Sequence, residues 1–209
     1  MLRILIADDH AIVRKGLKLI LQEAYPSSQI EEANDAESVI QLTLTSEWDI
    51  IICDLSMPGR SGLDVAQHVK QNFPKLPVLI LSMHAEEQYA VRALRAGAAG
   101  YIRKDASTDE LIRAVHRVLQ GRKYVSAFLA EKMASELDQD TTKPSHQTLS
   151  DREFHVFKLI AEGKSVSEIA DQLSLSITTV STYRARILAK MDMRTNADLI
   201  RYAIENNLI

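Results

Sequence analysis

The chain has 209 residues, 46% hydrophobic and 25% charged, with a formal net charge of −3. That length favours two domains and that composition a globular protein. The mild acidity argues against indiscriminate coating of nucleic acid or membrane, but leaves room for a small DNA-binding face. A single cysteine, Cys53, excludes an intrachain disulfide framework and suits a reducing cytoplasm.

The first predicted element is a strand, Ile4–Ala7, which ends at Asp8 and Asp9; the two acids also interrupt Met1–Ala7 before it can make a signal-peptide core. A helix over Ala11–Leu21, a weaker strand at Gln29–Glu32 and a helix over Ala36–Leu44 follow, with Asn34 and Glu37 at capping-box spacing. The strand Ile50–Cys53 hands over to Asp54, and its cysteine reads as a packing residue. Next come a helix over Leu63–Asn72, the strand Val78–Leu81 closing at Ser82, and a helix over Glu87–Ala96. The strand Gly100–Arg103 closes at Lys104, and a helix over Asp109–Leu119 opens on Ser107 and Glu110, a second capping-box pair. Strands that are apolar throughout, alternating with amphipathic helices, predict a parallel sheet covered on both faces in the doubly wound, flavodoxin-like order.

After Gly121 the pattern changes. A short helical stretch, Ala127–Leu137, leads into Asp138–Gln147, a polar linker containing Pro144. Beyond it only helix-period segments remain, near Asp151–Glu162, Val166–Leu173, Ile177–Met191 and Asn196–Asn206, with capping boxes at Ser150/Glu153 and Ser165/Glu168. This is a small all-helical domain. No stretch is apolar for long enough to span a bilayer, and none of the six histidines sits at zinc-ligand spacing with a cysteine or another histidine.

In a parallel sheet the ligand crevice lies beyond the carboxyl ends of the strands. Asp8, Asp9, Asp54, Ser82 and Lys104 therefore gather at one edge. Carboxylates suit Mg²⁺, which prefers oxygen ligands and often shares them with a phosphoryl group. A carboxylate can also attack phosphorus to form an aspartyl phosphate. Asp54, on the central strand, is the better nucleophile, with Asp8 and Asp9 gripping the metal. Lys104 would neutralise the phosphoryl charge, and Ser82 would bond a phosphate oxygen. Taken singly, these residues also read as a helix cap, a turn former or a surface charge. Their common placement is what favours the functional reading.

Residues 1 to about 120 resemble the receiver domain of two-component response regulators, on Asp8-Asp9, Asp54-Leu55-Ser56-Met57-Pro58-Gly59, Ser82 and Lys104-Asp105. The resemblance implies that Asp54 accepts phosphate from a phosphohistidine of a sensor histidine kinase. It also implies that Asp9, Asp54 and the Ser56 carbonyl bind Mg²⁺ directly, with Asp8 acting largely through water. Ser82 and Tyr101 would form a switch pair, and Ser56 and His84 would tune dephosphorylation. Asp105 departs from the proline many receivers carry after the lysine, so a cis peptide is not expected there.

In the helical tail, Leu173-Ser174-Leu175-Ser176 has the spacing of a helix-turn-helix. On the segment after it, Val180, Ile187 and Met191 form the inward stripe, while Thr178, Thr182, Ala185, Arg186 and Ala189 face outward, with Ser181 at the flank. Small and hydroxylated side chains let a helix approach base edges in the major groove. Arg184 falls nearer the inner boundary and suits a phosphate contact. Leu149–Glu153, Ala161–Ser165, Glu168–Ala170 and Thr179–Arg184 resemble the LuxR-type helix-turn-helix domain, so the whole chain resembles a NarL/FixJ-type response regulator. By that resemblance DNA is contacted by Lys164, Thr178, Thr179, Ser181, Thr182, Arg184, Ala185, Arg186 and Lys190, and dimerisation uses Leu199, Ile200 and Ala203; the alternative is that this last stripe packs only within its own domain. Thr178 and Ser181 replace lysines frequent in the family, so base specificity does not transfer.

The expected organisation is a receiver over residues 1–121, a linker with a short helix over 122–147 and a DNA-binding domain over 148–209. The expected activity is that of a cytoplasmic transcription regulator, not a metabolic enzyme, that catalyses only its own phosphoryl transfer and dephosphorylation. Its cofactor would be Mg²⁺ and its partners a sensor histidine kinase, promoter DNA and a second copy on activation, with RNA polymerase a further candidate and no membrane. An aspartate-based phosphohydrolase would use the same carboxylates but leaves the helical tail unexplained. A DNA-binding module indifferent to phosphate leaves the complete acidic set unexplained.

Overall fold

The computed structural model describes residues 1–126, 129–131 and 145–209. Most of the expected helical stretch Ala127–Leu137, and the linker through Pro144, lie outside the described residues. The chain divides into two compact units, Met1–Asp138 and Gln139–Ile209.

In the first unit, strands β1 (Arg3–Ala7), β2 (Gln29–Ala33), β3 (Ile50–Asp54), β4 (Val78–Ser82) and β5 (Gly100–Arg103) alternate with helices α1 (Ala11–Ala24), α2 (Ala36–Thr45), α3 (Gly62–Asn72), α4 (Glu86–Ala96) and α5 (Thr108–Leu119). All strand pairs are parallel, in the order β2-β1-β3-β4-β5, the flavodoxin-like order expected from the sequence. β3 and β4 are buried from end to end, so their unbroken apolar runs serve both faces of the sheet. One layer of core joins Ile4, Ile6, Ile50, Ile52 and Leu79 to Leu17 and Leu21 of α1 and to Leu111, Val115 and Val118 of α5. Each such side chain contributes roughly 1.5–3 kcal/mol on burial.

Local chemistry starts the helices, with two corrections to the sequence reading. The cap of α2 is Asp35, whose carboxylate accepts from the Ser38 amide at 2.8 Å; Asn34 stands one residue too early to reach it. Ser107 caps α5 through the Glu110 amide, but the Glu110 carboxylate is taken by the Tyr124 hydroxyl at 3.0 Å instead of returning to Ser107. An unforeseen capping box, Ser61 with Asp64, starts α3. Gly62 follows it because a Cβ there would lie 2.2 Å from the Asp54 carbonyl oxygen, so only glycine lets α3 begin this close to β3.

The segment after Gly121 is not free linker. The Tyr124 amide donates to the Ala99 carbonyl at 2.8 Å, and Ser126 Oγ donates to Glu86 Oε1 at 2.6 Å, so the chain lies beside β5 at Tyr124 and is tied to the start of α4 at Ser126.

The described part of the second unit starts with a 3₁₀ turn, Ser145–Thr148, overlapping the residues 138–147 read as linker from the sequence; the His146 ring meets the Tyr202 hydroxyl at 2.9 Å and packs near Phe154. Helices α6 (Asp151–Ala161), α7 (Val166–Leu173), α8 (Ile177–Lys190) and α9 (Asn196–Glu205) follow. Full capping boxes start α6 at Ser150/Glu153 and α7 at Ser165/Glu168, as predicted, and α9 at Thr195/Asp198. Ser174 turns the chain between α7 and α8 in the left-handed region, at φ 53°. Phe154, Phe157, Ile160, Ile169, Val180, Ile187 and Leu199 form the core.

Glu153 ties α6 to α8. Its buried carboxylate accepts from the Ser150 amide at 2.8 Å and from Lys190 Nζ at 2.6 Å. Burial pushes its pKa up, but the Lys190 and Ser150 hydrogen bonds outweigh that and hold it below the ordinary value of 4.5. A depressed folded pKa gives stability that is fully present above the unfolded value and is lost as pH falls through the folded one. Hydrogen exchange at the α6 amides should therefore show wild-type protection exceeding that of Glu153→Gln at pH 7, with the gap closing below about pH 4.5. A gap independent of pH would assign the difference to packing.

Candidate functional site

Sheet register builds the first candidate site. Ala7 of β1 pairs with Cys53 of β3, so the next residues, Asp8 and Asp54, emerge side by side at the carboxyl edge. Both are buried, at 1% and 3% exposure. The Lys104 ammonium, delivered from the end of β5, sits 2.6 Å from Asp8 Oδ2 and 3.0 Å from Asp54 Oδ1. Burial raises the Asp54 pKa most; Lys104 pulls it down, Asp8 pushes it up, and the net shift is upward. Burial disfavours the Lys104 charge, yet its bonds to the two carboxylates outweigh this and its pKa is raised.

Asp9 is exposed beside them, and His10, which the sequence reading left aside, joins the group with Nδ1 at 2.7 Å from Asp9 Oδ1. One ligand atom each from Asp8, Asp9, His10 and Asp54 lies within 4.8 Å of the others. Two of the three carboxylates, Asp8 and Asp54, share the single Lys104 ammonium, and the charge balance and oxygen-rich donor set of the cluster fit a hard divalent cation. The signal for His10 was its place directly after the acidic pair.

On the far side of Asp54, Ser82 Oγ ends β4 and accepts from the His84 amide at 3.0 Å, while the Lys104 amide donates to the Ser82 carbonyl at 2.8 Å. The Tyr101 ring is already buried, its hydroxyl donating to the His84 carbonyl at 2.9 Å, and burial pushes its pKa up. Ser56 backbone N–H bonds Asp54, and Ser56 Oγ lies 3.2 Å from His84 Nε2. His84 thus links Ser82, Tyr101 and Ser56, and Ser56 in turn bonds Asp54 through its backbone. The Lys104–Asp105 peptide is trans.

In the second unit, α8 exposes Thr178, Ser181, Thr182, Ala185 and Arg186, as the sequence predicts, and buries Val180 and Ile187. Other expected DNA contacts are engaged elsewhere. Thr179 serves the α8 cap with Ser176, Arg184 Nε donates to Asn196 Oδ1 at 2.6 Å, Lys190 pairs with Glu153, and Lys164 bonds Gln172. Leu199 and Ala203, expected at a dimer interface, are wholly buried in their own unit because α9 turns that face onto α6; only Ile200 of the expected trio is partly exposed, and the outward apolar residue of α9 is Ile204.

Residues 4–116 match the family described as response regulator receiver domain, and residues 147–203 match bacterial regulatory proteins of the luxR family. The chain is a LuxR-type response regulator. Response regulator UvrY of Escherichia coli K12 is 32% identical over 209 residues, spanning all of this chain and 96% of that protein. Oxygen regulatory protein NreC of Staphylococcus haemolyticus is 35% identical over 215 residues, spanning 100% and 99%. Among solved structures, RcsB of Salmonella enterica serovar Typhimurium bound to promoter rprA with phosphomimetic BeF3- has a TM-score of 0.65 at 27% identity, covering 97% of this response regulator and 98% of RcsB. Two RcsB dimers bound to two parallel DNAs give 0.59 at 27%, covering 96% and 97%. Among the described residues of this response regulator, no helix is long and apolar enough to cross a membrane.

Proposed function

We propose that this protein is a phosphorylation-controlled transcription regulator of the cytoplasm. Asp54 takes a phosphoryl group from a phosphohistidine of a sensor histidine kinase, and the modified protein dimerises and binds promoter DNA. The observation that carries the reading is the buried Asp54 carboxylate held beside Asp8 on a single ammonium, Lys104. An Asp54 oxygen forms the new P–O bond as the P–N bond of the phosphoimidazole breaks. Asp8, Asp9, Asp54 and the Ser56 carbonyl would hold Mg²⁺, which adds positive charge where the phosphoryl oxygens gather. Lys104 gives up its contact with Asp54 to meet the incoming oxygens, and Ser82 offers its hydroxyl to one of them. Movement of Ser82 perturbs the His84 amide it binds, and through the His84 carbonyl the Tyr101 hydroxyl. Ser56 and His84 flank the acyl phosphate and tune its hydrolysis.

The DNA-facing surface is that of α8, and DNA binding by this chain is supported by the similar RcsB, solved bound to promoter rprA and, as two dimers, to two parallel DNAs. RNA polymerase is a further candidate partner. Treating the full-length protein with acetyl phosphate and Mg²⁺ should label it covalently, raise its dimer fraction and tighten DNA binding. Labelling with no change in affinity would rule out the switch. Replacing Arg186 with alanine should weaken DNA binding and reduce the salt slope by about 1, with phosphorylation untouched. An unchanged slope would remove Arg186 from the contact surface.

A further inference from the structure

The outward face of α8 is unusual in what it lacks. From Ile177 to Tyr183 the helix carries no Asn, Gln, Lys or Arg, so its first two turns have no side chain able to make a bidentate contact to guanine or adenine. The hydroxyls there are partly spent on the helix itself. Ser176 Oγ accepts from the Thr179 amide at 3.0 Å and lies 2.7 Å from Thr179 Oγ1, and Thr182 Oγ1 donates to the Thr178 carbonyl at 2.9 Å. Beside the Thr178 and Ser181 hydroxyls, the exposed side chains left at this end of the helix are apolar. Ile177, the first residue of the helix, is 57% exposed although it is a large branched hydrocarbon, and Ser181 and Ala185 continue its line at four-residue spacing.

The amino-terminal residues of such a helix meet base edges, and the apolar group on a base edge in the major groove is the thymine 5-methyl. We infer that Ile177 is a specificity-determining residue that packs on a thymine 5-methyl group, so that this protein reads its operator partly by methyl contact. The inference rests on the DNA-binding reading above. It explains why an exposed apolar side chain stands where a phosphate-binding face would carry a cation. It also places Ile177 among the recognition residues, a position that the periodicity of the helix alone did not mark.

The test begins with duplexes selected from a random library by acetyl-phosphate-treated, full-length protein. Each thymine of the selected operator is then replaced in turn by deoxyuridine, which lacks only the methyl group. Wild type should lose about fourfold in affinity at one thymine per half-site, the factor that burying a single methyl-sized group is worth. Ile177→Ala should bind the thymine and uracil operators equally at that position, while its melting temperature and Asp54 labelling match wild type. Uracil substitutions silent at every position, or an Ile177→Ala variant as sensitive to methyl loss as wild type, would overturn the assignment. A library yielding no enriched sequence would instead overturn sequence-specific DNA binding itself, and the assignment with it.

Discussion

Replacing Asp54 with asparagine is expected to reduce covalent labelling by acetyl phosphate or a sensor kinase to background while leaving the first unit folded. The amide has no anionic oxygen to attack phosphorus, and neither neighbouring carboxylate takes its place at the end of the central strand β3: Asp8 follows β1, and Asp9 lies exposed at the rim. The loss should also abolish any phosphate-dependent gain in DNA affinity. Thermal melting separates this from unfolding. The folded pKa of Asp54 is raised, chiefly by burial. A raised acid pKa means that ionised Asp54 costs stability as pH climbs above its unfolded value, so the neutral variant should melt at or above the wild-type temperature at pH 7. Wild-type labelling of Asp54→Asn would refute the phosphoacceptor assignment; a collapsed melting curve would mean that the residue is structural.

The largest expected stability effect lies in the other unit. Phe157 is fully buried, with its ring 6.1 Å from that of Phe154 and 6.3 Å from that of Tyr202. Truncating it to alanine removes a core aromatic and leaves a cavity, a change that costs about 3–5 kcal/mol. Small domains hold only about 5–15 kcal/mol in all, so much of this unit's stability would go. At about 4–8 °C per kcal/mol for a domain of this size, its melting transition should fall by at least 10 °C. DNA binding should be lost at 37 °C, whereas Asp54 labelling should persist, because the phosphoacceptor core is built entirely within the first unit. Scanning calorimetry paired with a labelling assay would check both halves. Joint loss of labelling and DNA binding would show that the two units fold as one.

Much of this was legible in the primary structure because each strand announces itself locally. Ile50–Cys53 and Val78–Leu81 are apolar without alternation, and only a strand covered on both faces tolerates that in so few residues. The polar residue closing each run was equally plain, so the Asp8, Asp54, Ser82 and Lys104 cluster followed once the strands were taken as parallel. Caps were less certain: Asn34 and Asp35 are both good capping residues, and the choice depends on which side chain reaches the Ser38 amide. The periodicity of α8 identified its exposed face, but not that Arg184 and Lys190 at its margins bond Asn196 and Glu153. Those partners come from α9 and α6, and no local pattern encodes them.

By itself, the sequence determined the strands, the helices, the polar residues that end the strands and the two-part organisation, because hydrophobic period and capping chemistry act over a few neighbouring residues. Only the tertiary structure decided which groups are spent and which are free. Register set Asp8 beside Asp54 and brought Lys104 onto both. Packing of α9 onto α6 buried Leu199 and Ala203 within their own unit, and the chain after Gly121 was held beside β5 at Tyr124 and against α4 at Ser126. Each of these outcomes depends on contacts between residues distant in sequence, whose energies are settled by the whole fold and not by any segment of it.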